Sequence, residues 1–215
     1  SSMAPNLGGD SKLDQASFLL EPVSSENLHS NRSTRNFWVK SGDGQAWSAA
    51  GSSAEAENDR FTEAQDDSKI TAGFMWQTME RSSRKYGLKS QITSFVQDEL
   101  NAEVMYVTIK NTSDGPLDFT PVAAVPIYGR SADNIRDHRN VTSMLHRIST
   151  EEYGVVVTPT MSFDERGHKK NHTSYFVAGV TGDGKAPTEF FPTVDIYLGE
   201  GGTYTHPGAI YRDLQ

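Results

Sequence analysis

The sequence predicts an all-β protein, built as a large antiparallel sandwich of two sheets. Roughly nine short runs of strand character are separated by turn signals at intervals of about 8–20 residues. No run has the length and apolar periodicity of a long amphipathic helix. The hydrophobic content is 35%, and glycine contributes 18 of the 215 residues, a composition typical of many turns around a thin core.

The N-terminal third predicts one short strand, one hairpin and one loop. The run "SFLLEPV" is typical of a short strand that ends near Pro22. In "RNFWVKSGDGQAWSAAG", apolar residues flank a Gly-Asp-Gly turn, which predicts a hairpin. Residues 51–69 are polar and acidic, so we expect a surface loop there.

The central part gives the clearest strands. Two runs, "ITAGFMWQTMERSS" and "GLKSQITSFVQ", are predicted as single strands divided by a turn near Tyr86-Gly87. "AEVMYVTIKN" alternates between apolar and polar residues, as a half-buried strand does. "LDFTPVAAVPIYG" is expected to run back antiparallel to it, and Pro121 and Pro126 indicate an edge position or a bulge.

The C-terminal third predicts a second hairpin, "YGVVVTPTM" and "TSYFVAGV", around the polar tip "SFDERGHKKNH". The segment "TVDIYLG" is predicted as a last short strand, and the tail from residue 200 to 215 as loop.

Composition excludes several classes of function. The formal net charge of −8 argues against non-specific binding of nucleic acid. The absence of cysteine excludes disulfides, thiolate metal sites and a cysteine nucleophile. No apolar run approaches the roughly 20 residues that span a bilayer, and no signal peptide is visible. We therefore expect a cytoplasmic protein.

Two motifs favour ordinary loops over ligand sites. "GVTGDGKA" has the spacing of a phosphate loop, but Ala186 and Pro187 stand where Ser or Thr and a helix are needed. His168 and His172 are four residues apart in a glycine-interrupted hairpin tip, where a zinc site would need a third ligand from elsewhere. We expect a flexible turn and no metal or cofactor.

Carboxylates and tryptophans provide further candidates. Two acidic groups that flank a sugar could support glycoside chemistry. The acidic candidates in the predicted loops are Asp133, Asp137, Asp164 and Glu165. Each stands near an Arg or Lys, which favours the ionised carboxylate and not the protonated form that a general acid needs. The three tryptophans, Trp38, Trp47 and Trp76, lie in or beside predicted strands and suit core packing more than sugar stacking.

The densest cluster of charge follows the strand that ends at Gly129. The stretch "YGRSADNIRDHRN" contains three arginines, two aspartates and a histidine within residues 130–139. Arginine suits bidentate contacts to carboxylates and protein interfaces. A connecting loop and a functional surface are equally compatible with this composition.

An ordered series of segments resembles a known family. "WSAAG", then the long run from "YGLKSQITSFVQ" through "HRNVTSMLHRI", then "GVVVTPTMSFDERGHKKNHTSYFVAG" are similar to the N-terminal β-sandwich domain of glycoside hydrolase family 94 phosphorylases. Within that family they are most similar to β-1,2-oligoglucan phosphorylases and cyclic β-1,2-glucan synthases. The resemblance runs from about Phe18 to Gly202, nearly the whole chain.

The resemblance implies a twisted "supersandwich" like that of galactose mutarotases. In the full enzymes this domain precedes a helical linker and an (α/α)6 barrel. The barrel carries the general acid and binds inorganic phosphate, which attacks the anomeric carbon and releases glucose 1-phosphate without a metal. The barrel's Asp-Trp-Asn-Asp-type segment is absent from this sequence, so no catalytic acid carries over.

We therefore expect residues 1–16 to be disordered or vector-derived, and residues 17–215 to form one sandwich domain, a non-catalytic fragment of a larger enzyme. Its expected partners are the barrel, a β-glucan oligosaccharide and a second copy. The candidate contacts are Arg130, Asp133, Arg136, Asp137, His138, Arg139, Asp164, Glu165, Arg166 and His168.

Two alternatives stay open. A free-standing carbohydrate-binding module would bind oligosaccharides by itself. A mutarotase-like enzyme would need a His and a Glu poised for acid–base work, and the sequence shows none.

Overall fold

The computed structural model describes residues 7–8, 17–20, 34–131, 146–164 and 167–212. These ranges contain fourteen strands and three short helices. The strands are β1 (Ser17–Phe18), β2 (Asn36–Ser41), β3 (Ala46–Ser48), β4 (Asp67–Gly73), β5 (Trp76–Ser83), β6 (Leu88–Val96), β7 (Glu103–Asn111), β8 (Phe119–Ala124), β9 (Arg130–Ser131), β10 (His146–Glu151), β11 (Gly154–Pro159), β12 (Met161–Asp164), β13 (Gly167–Lys170) and β14 (Tyr175–Ala178). The helices are α1 (Ala54–Asn58), α2 (Val194–Leu198) and α3 (Gly208–Tyr211).

All strand pairs in the described ranges are antiparallel, so the predicted all-β class is confirmed. The largest sheet is a four-stranded meander in the order β4-β5-β6-β7. Two three-stranded sheets follow the orders β3-β2-β8 and β10-β11-β14. The remaining pairs are β1 with β9 and β12 with β13.

The predicted hairpin around the Gly-Asp-Gly turn is confirmed as β2–β3. Val39 pairs with Trp47, and Gly44 takes the positive φ of 83° that the turn requires. The predicted hairpin of β11 and β14 is confirmed as well, with Val157 opposite Tyr175. Its polar tip forms a small hairpin of its own, β12–β13.

The meander corrects two predictions. Residues 51–69 are not loop throughout, because α1 begins at Ala54 and β4 at Asp67. The run "ITAGFMWQTMERSS" is not one strand, because the chain reverses at Phe74–Met75, where Met75 takes a φ of 62°. The Trp76 indole lies against Gly73, where any side chain would overlap it. A turn of two apolar residues carries none of the usual turn signals.

β8 pairs with β2 and not with β7, contrary to expectation. Pro121 faces Val39 on the outer strand of the described β3-β2-β8 sheet, in agreement with the edge position that its missing N–H predicts. Long-range pairing of this kind leaves no local trace in the sequence.

The C-terminal region is helical where a strand and a loop were predicted. In "TVDIYLG" the Thr193 side chain accepts a hydrogen bond from the Ile196 N–H at 3.3 Å, and Gly199 ends α2 with a φ of 65°. The caps at its two ends favour a helix and outweigh the strand propensity of Val194 and Ile196. α3 buries Ile210 in the described tail.

The core lies on both faces of the β2–β3 hairpin. Val39 and Trp47 point towards the meander and pack with its inner side chains, including Met79, Leu88 and Ile92. Trp38 and Ala46 occupy the opposite face and pack against Ile210 with Tyr197 and Tyr211. Because successive side chains of a strand point to opposite faces, the β2–β3 hairpin packs against the meander on one face and against α2 and α3 on the other.

Candidate functional site

The arginine-rich stretch is described only at its margins. Arg130 lies in β9 and pairs through its backbone with Phe18. His146, the first residue described after the stretch, donates from Nε2 to the Gly129 carbonyl oxygen at 2.9 Å. Burial lowers the pKa of His146, which favours the neutral ring. The candidates Asp133, Arg136, Asp137, His138 and Arg139, with their predicted ion pairs, lie outside the described residues.

The hairpin tip is placed by its backbone. Asp164 pairs with Gly167, and Phe163 pairs with His168. Glu165 and Arg166 lie outside the described residues. The role of this tip in an interface or a sugar cleft stays a prediction.

The three tryptophans occupy three different environments. Trp38 is fully buried, and its indole N–H donates to the Tyr197 hydroxyl at 2.8 Å. Trp47 is buried against the meander, and its N–H donates to Asp66 at 2.8 Å. Trp76 keeps 43% of its surface exposed. Of the three, only Trp76 presents a ring that a sugar can stack on.

Trp76 belongs to a contiguous exposed patch at one end of the meander. Phe74 and Tyr106 are 89% and 65% exposed. Trp76, Phe95 and Val104 stand opposite one another on three neighbouring strands, and all are exposed. We call this surface the aromatic patch; it consists of Phe74, Met75, Trp76, Phe95, Val104 and Tyr106. Sequence reasoning singled out only Trp76. Val104 and Tyr106, which interrupt the apolar–polar alternation of β7, were a signal for that strand's part of the patch.

A cleft of about 120 Å³ opens at the opposite end of the same sheet. It is lined by Trp47 and Ser48, by α1 and the segment after it, and by the end of β5 with the β5–β6 turn. Arg81, on the inner face of β5, is five residues from Trp76, a distance of about 17 Å along an extended strand. The cleft and the aromatic patch are therefore separate sites.

Two ion pairs set the electrostatics of the cleft. Lys85 pairs with Glu55, and the Tyr86 hydroxyl donates to the same carboxylate at 2.6 Å. Burial alone would raise the pKa of Glu55, but the hydrogen bonds from Lys85 and Tyr86 lower it below its usual value. Burial and the Glu55 charge raise the pKa of Tyr86 strongly.

The second pair joins Arg81 to Asp66, whose side chains are each 14% exposed, across 3.6 Å. Burial lowers the pKa of Arg81, opposed by the charge of Asp66. The guanidinium lies against the Cα of Gly51, in a space that any side chain at that position would fill. No sequence motif links these residues, because they come from separate strands and loops.

This arrangement does not supply a general acid. The Glu55 carboxyl is held in its ionised form, whereas a general acid at neutral pH needs a raised pKa. No histidine lines the cleft. Within the described ranges, no three His, Asp or Glu side chains come together as ligands for a metal ion.

The segment "GVTGDGKA" forms the predicted turn. The Thr181 hydroxyl accepts from the Lys185 N–H at 3.0 Å, and Lys185 pairs with Asp183 at 2.6 Å. No helix follows at residues 186–192, so the geometry of a phosphate loop is lacking. None of the described helices is long and apolar enough to cross a membrane.

Comparison with known families agrees with this architecture. The family described as glycosyl hydrolase 94, supersandwich domain, matches residues 8–215. The chain belongs to this family. The resemblance inferred from the ordered segments is thereby confirmed at the level of the family, and so is the supersandwich fold. No curated protein sequence matches the chain significantly.

Membership in the family makes this chain a non-catalytic, carbohydrate-related domain. Two of the carboxylates that line the cleft, Glu55 and Asp66, are paired with cations. Membership in this family does not by itself give a role to the aromatic patch or to the cleft.

Proposed function

We propose that this supersandwich domain works beside an (α/α)6 barrel in an inverting glycoside phosphorylase or glucan synthase. In the complete enzyme, phosphate bound by the barrel would attack a β-glucoside and release glucose 1-phosphate. The supersandwich domain would pack against the barrel, form one wall of the complete enzyme's substrate-binding cleft and contribute to a homodimer. It would need no cofactor of its own.

The aromatic patch carries this proposal. Exposed apolar surface of this extent, formed by aligned residues of three strands, is typical of an interface. Tyr and Trp also suit a boundary that is partly wet, because each combines a large apolar ring with a polar group. A domain that packs against a second domain of the same enzyme accounts for such a surface.

Assay of glucose 1-phosphate tests the proposal. The 215-residue chain and the complete product of its gene are each incubated with phosphate and β-1,2-, β-1,3- or β-1,4-linked gluco-oligosaccharides. We expect product only from the complete protein, in the inverted α configuration. Product from the 215-residue chain, or a complete protein inactive on all three linkages, would overturn the proposal.

A substitution tests the role of the patch within the complete protein. Trp76→Ala is expected to lower both phosphorolysis and the melting temperature, since it removes a large ring from the interface. Tyr153→Ala is the matched control, because Tyr153 is equally exposed but lies in the turn between β10 and β11. Equal effects of the two substitutions would argue against a barrel contact at the patch.

The aligned rings also favour a second candidate, a carbohydrate-binding module. Sugar rings stack on exposed aromatic side chains, and Trp76 stands beside Phe95 in register. Calorimetry of the chain with the same three oligosaccharides is expected to give heat that Trp76→Ala abolishes. Absence of heat with all three would exclude this candidate.

A further inference from the structure

The cleft between α1 and the β5–β6 turn has the features of a small ligand site that no family property assigns. It is about 120 Å³ in volume, well below the roughly 300–1,000 Å³ of sites for drug-sized ligands. Most of the residues that line it are polar or charged. A site of this size suits one ring and not a chain of rings.

The charge of the cleft points to a neutral ligand. Its lining contains three cationic side chains, Arg60, Arg81 and Lys85, and three carboxylates, Glu55, Asp59 and Asp66. Their formal charges cancel, so neither an anion nor a cation gains a net attraction. A polyhydroxylated ligand suits this lining, since each hydroxyl can donate to a carboxylate and accept from a guanidinium.

The polar groups are fixed before any ligand arrives. The Trp47 indole N–H holds Asp66, and the Tyr86 hydroxyl holds Glu55. Fixed groups lose little conformational entropy when a ligand binds, so these two carboxylates are preorganised.

Arg81 retains unused hydrogen-bonding capacity. Its Nη1 lies 3.6 Å from Asp66 Oδ2, which is longer than a hydrogen bond. Its Nε is buried and lacks a partner in the described part of the chain. A buried donor left unpaired costs stability and requires an explanation. A small shift of the side chain would offer these donors to the hydroxyls of a ligand.

We propose that this cleft binds a single hexopyranose unit, free or at the end of an oligosaccharide. The choice of a sugar among neutral polyols rests on the proposed function. The sugar hydroxyls would lie between Asp66 and Arg81 on one side and Glu55 on the other.

The tryptophans allow a site-resolved test, because each of the three indole N–H groups gives one resonance in a ¹H–¹⁵N spectrum. Trp47 reports on the cleft, Trp76 on the aromatic patch and Trp38 on the buried core. The chain is titrated with glucose, with a β-1,2-linked glucose disaccharide and with inorganic phosphate. We expect the Trp47 resonance to shift saturably with a sugar while the Trp38 resonance stays in place.

Two variants control the result. Arg81→Met should raise the sugar Kd at least tenfold, whereas Arg84→Met should not change it. Arg84 is 92% exposed and lies just beyond β5, outside the cleft. An unmoved Trp38 resonance verifies that each variant is folded. If Arg81→Met does not fold, Glu55→Gln takes its place and should also weaken binding.

The outcomes separate the alternatives. A response to the disaccharide alone supports recognition of a chain end, and a response to glucose alone supports a free monosaccharide. A stronger Trp47 response to phosphate than to sugar overturns the inference, because the ligand is then an anion. A shift confined to Trp76 also overturns it and places the sugar on the aromatic patch. The absence of any shift overturns the proposal that the cleft binds a sugar. The proposed function is then still tested independently by the glucose 1-phosphate assay.

Discussion

Replacing Gly51 with alanine tests whether the cleft is built as described. Gly51 has a φ of 73°, and a methyl group there would overlap the Arg81 guanidinium. The substitution therefore adds a backbone cost and a steric cost. Gly44 provides a matched control, because it has a φ of 83° and nothing lies within 4 Å of its Cβ position.

The backbone cost is common to both glycines, whereas the steric cost is specific to Gly51. An alanine held at positive φ costs about 1–2 kcal/mol in either position. At Gly51 the methyl group also forces Arg81 away from Asp66, which weakens a mostly buried ion pair for about another 1–3 kcal/mol. Gly44→Ala should thus lower the free energy of unfolding by about 1–2 kcal/mol, and Gly51→Ala by about 2–5 kcal/mol.

Urea unfolding followed by tryptophan fluorescence measures both values. The m-value should be unchanged, so that the shift of the midpoint reports stability alone. The indole resonance of Trp47 should move in Gly51→Ala, since Asp66 connects Arg81 to that indole. Equal destabilisation by the two substitutions, with Trp47 unmoved, would refute the packing of Arg81 on Gly51.

Three further results are expected. Trp38→Phe should lower the free energy of unfolding by about 2 kcal/mol and Tyr197→Phe by about 1 kcal/mol. The two effects should not add in the double variant, because each substitution removes the same hydrogen bond between Trp38 and Tyr197. Burial raises the pKa of Tyr211 to about 12, so its contribution to stability is complete below pH ~10 and falls as pH rises towards 12. Burial lowers the pKa of His146, so stability should fall as pH drops below about 6.5, where the unfolded state takes up a proton.

Each result has its own control. Additive effects of the Trp38 and Tyr197 substitutions would exclude their coupling. Tyr211→Phe should reduce the alkaline loss of stability without removing it, since burial also raises the pKa of Tyr86 and Tyr197. An unchanged slope would show that Tyr211 does not contribute. His146→Gln retains a donor for the Gly129 carbonyl but does not titrate. A persistent acid loss in this variant would assign that loss to other residues.

Local patterns predicted the elements that are stabilised by local interactions. The Gly-Asp-Gly turn gave the β2–β3 hairpin, and alternation gave β7. The failures have physical causes as well. The turn at Phe74–Met75 is specified by the packing of Trp76 on Gly73, and α2 is specified by its caps at Thr193 and Gly199.

The sites were less predictable than the strands. Burial of Trp38 and Trp47 agrees with the preference for core packing, but the sequence did not distinguish Trp76 from them. The cleft was missed altogether. Arg81 reads as one charged residue in a strand, and only the inward direction of its side chain places it against Asp66.

The sequence by itself determined the all-β class, the main hairpins and, through the order of its segments, the family. Turn chemistry and alternation act over a few residues, so they can be read directly from the chain. Only the tertiary structure decided that β8 pairs with β2 and that the aromatic patch and the cleft lie at opposite ends of the meander. Those relations depend on contacts between residues distant in sequence, whose energies no local pattern records.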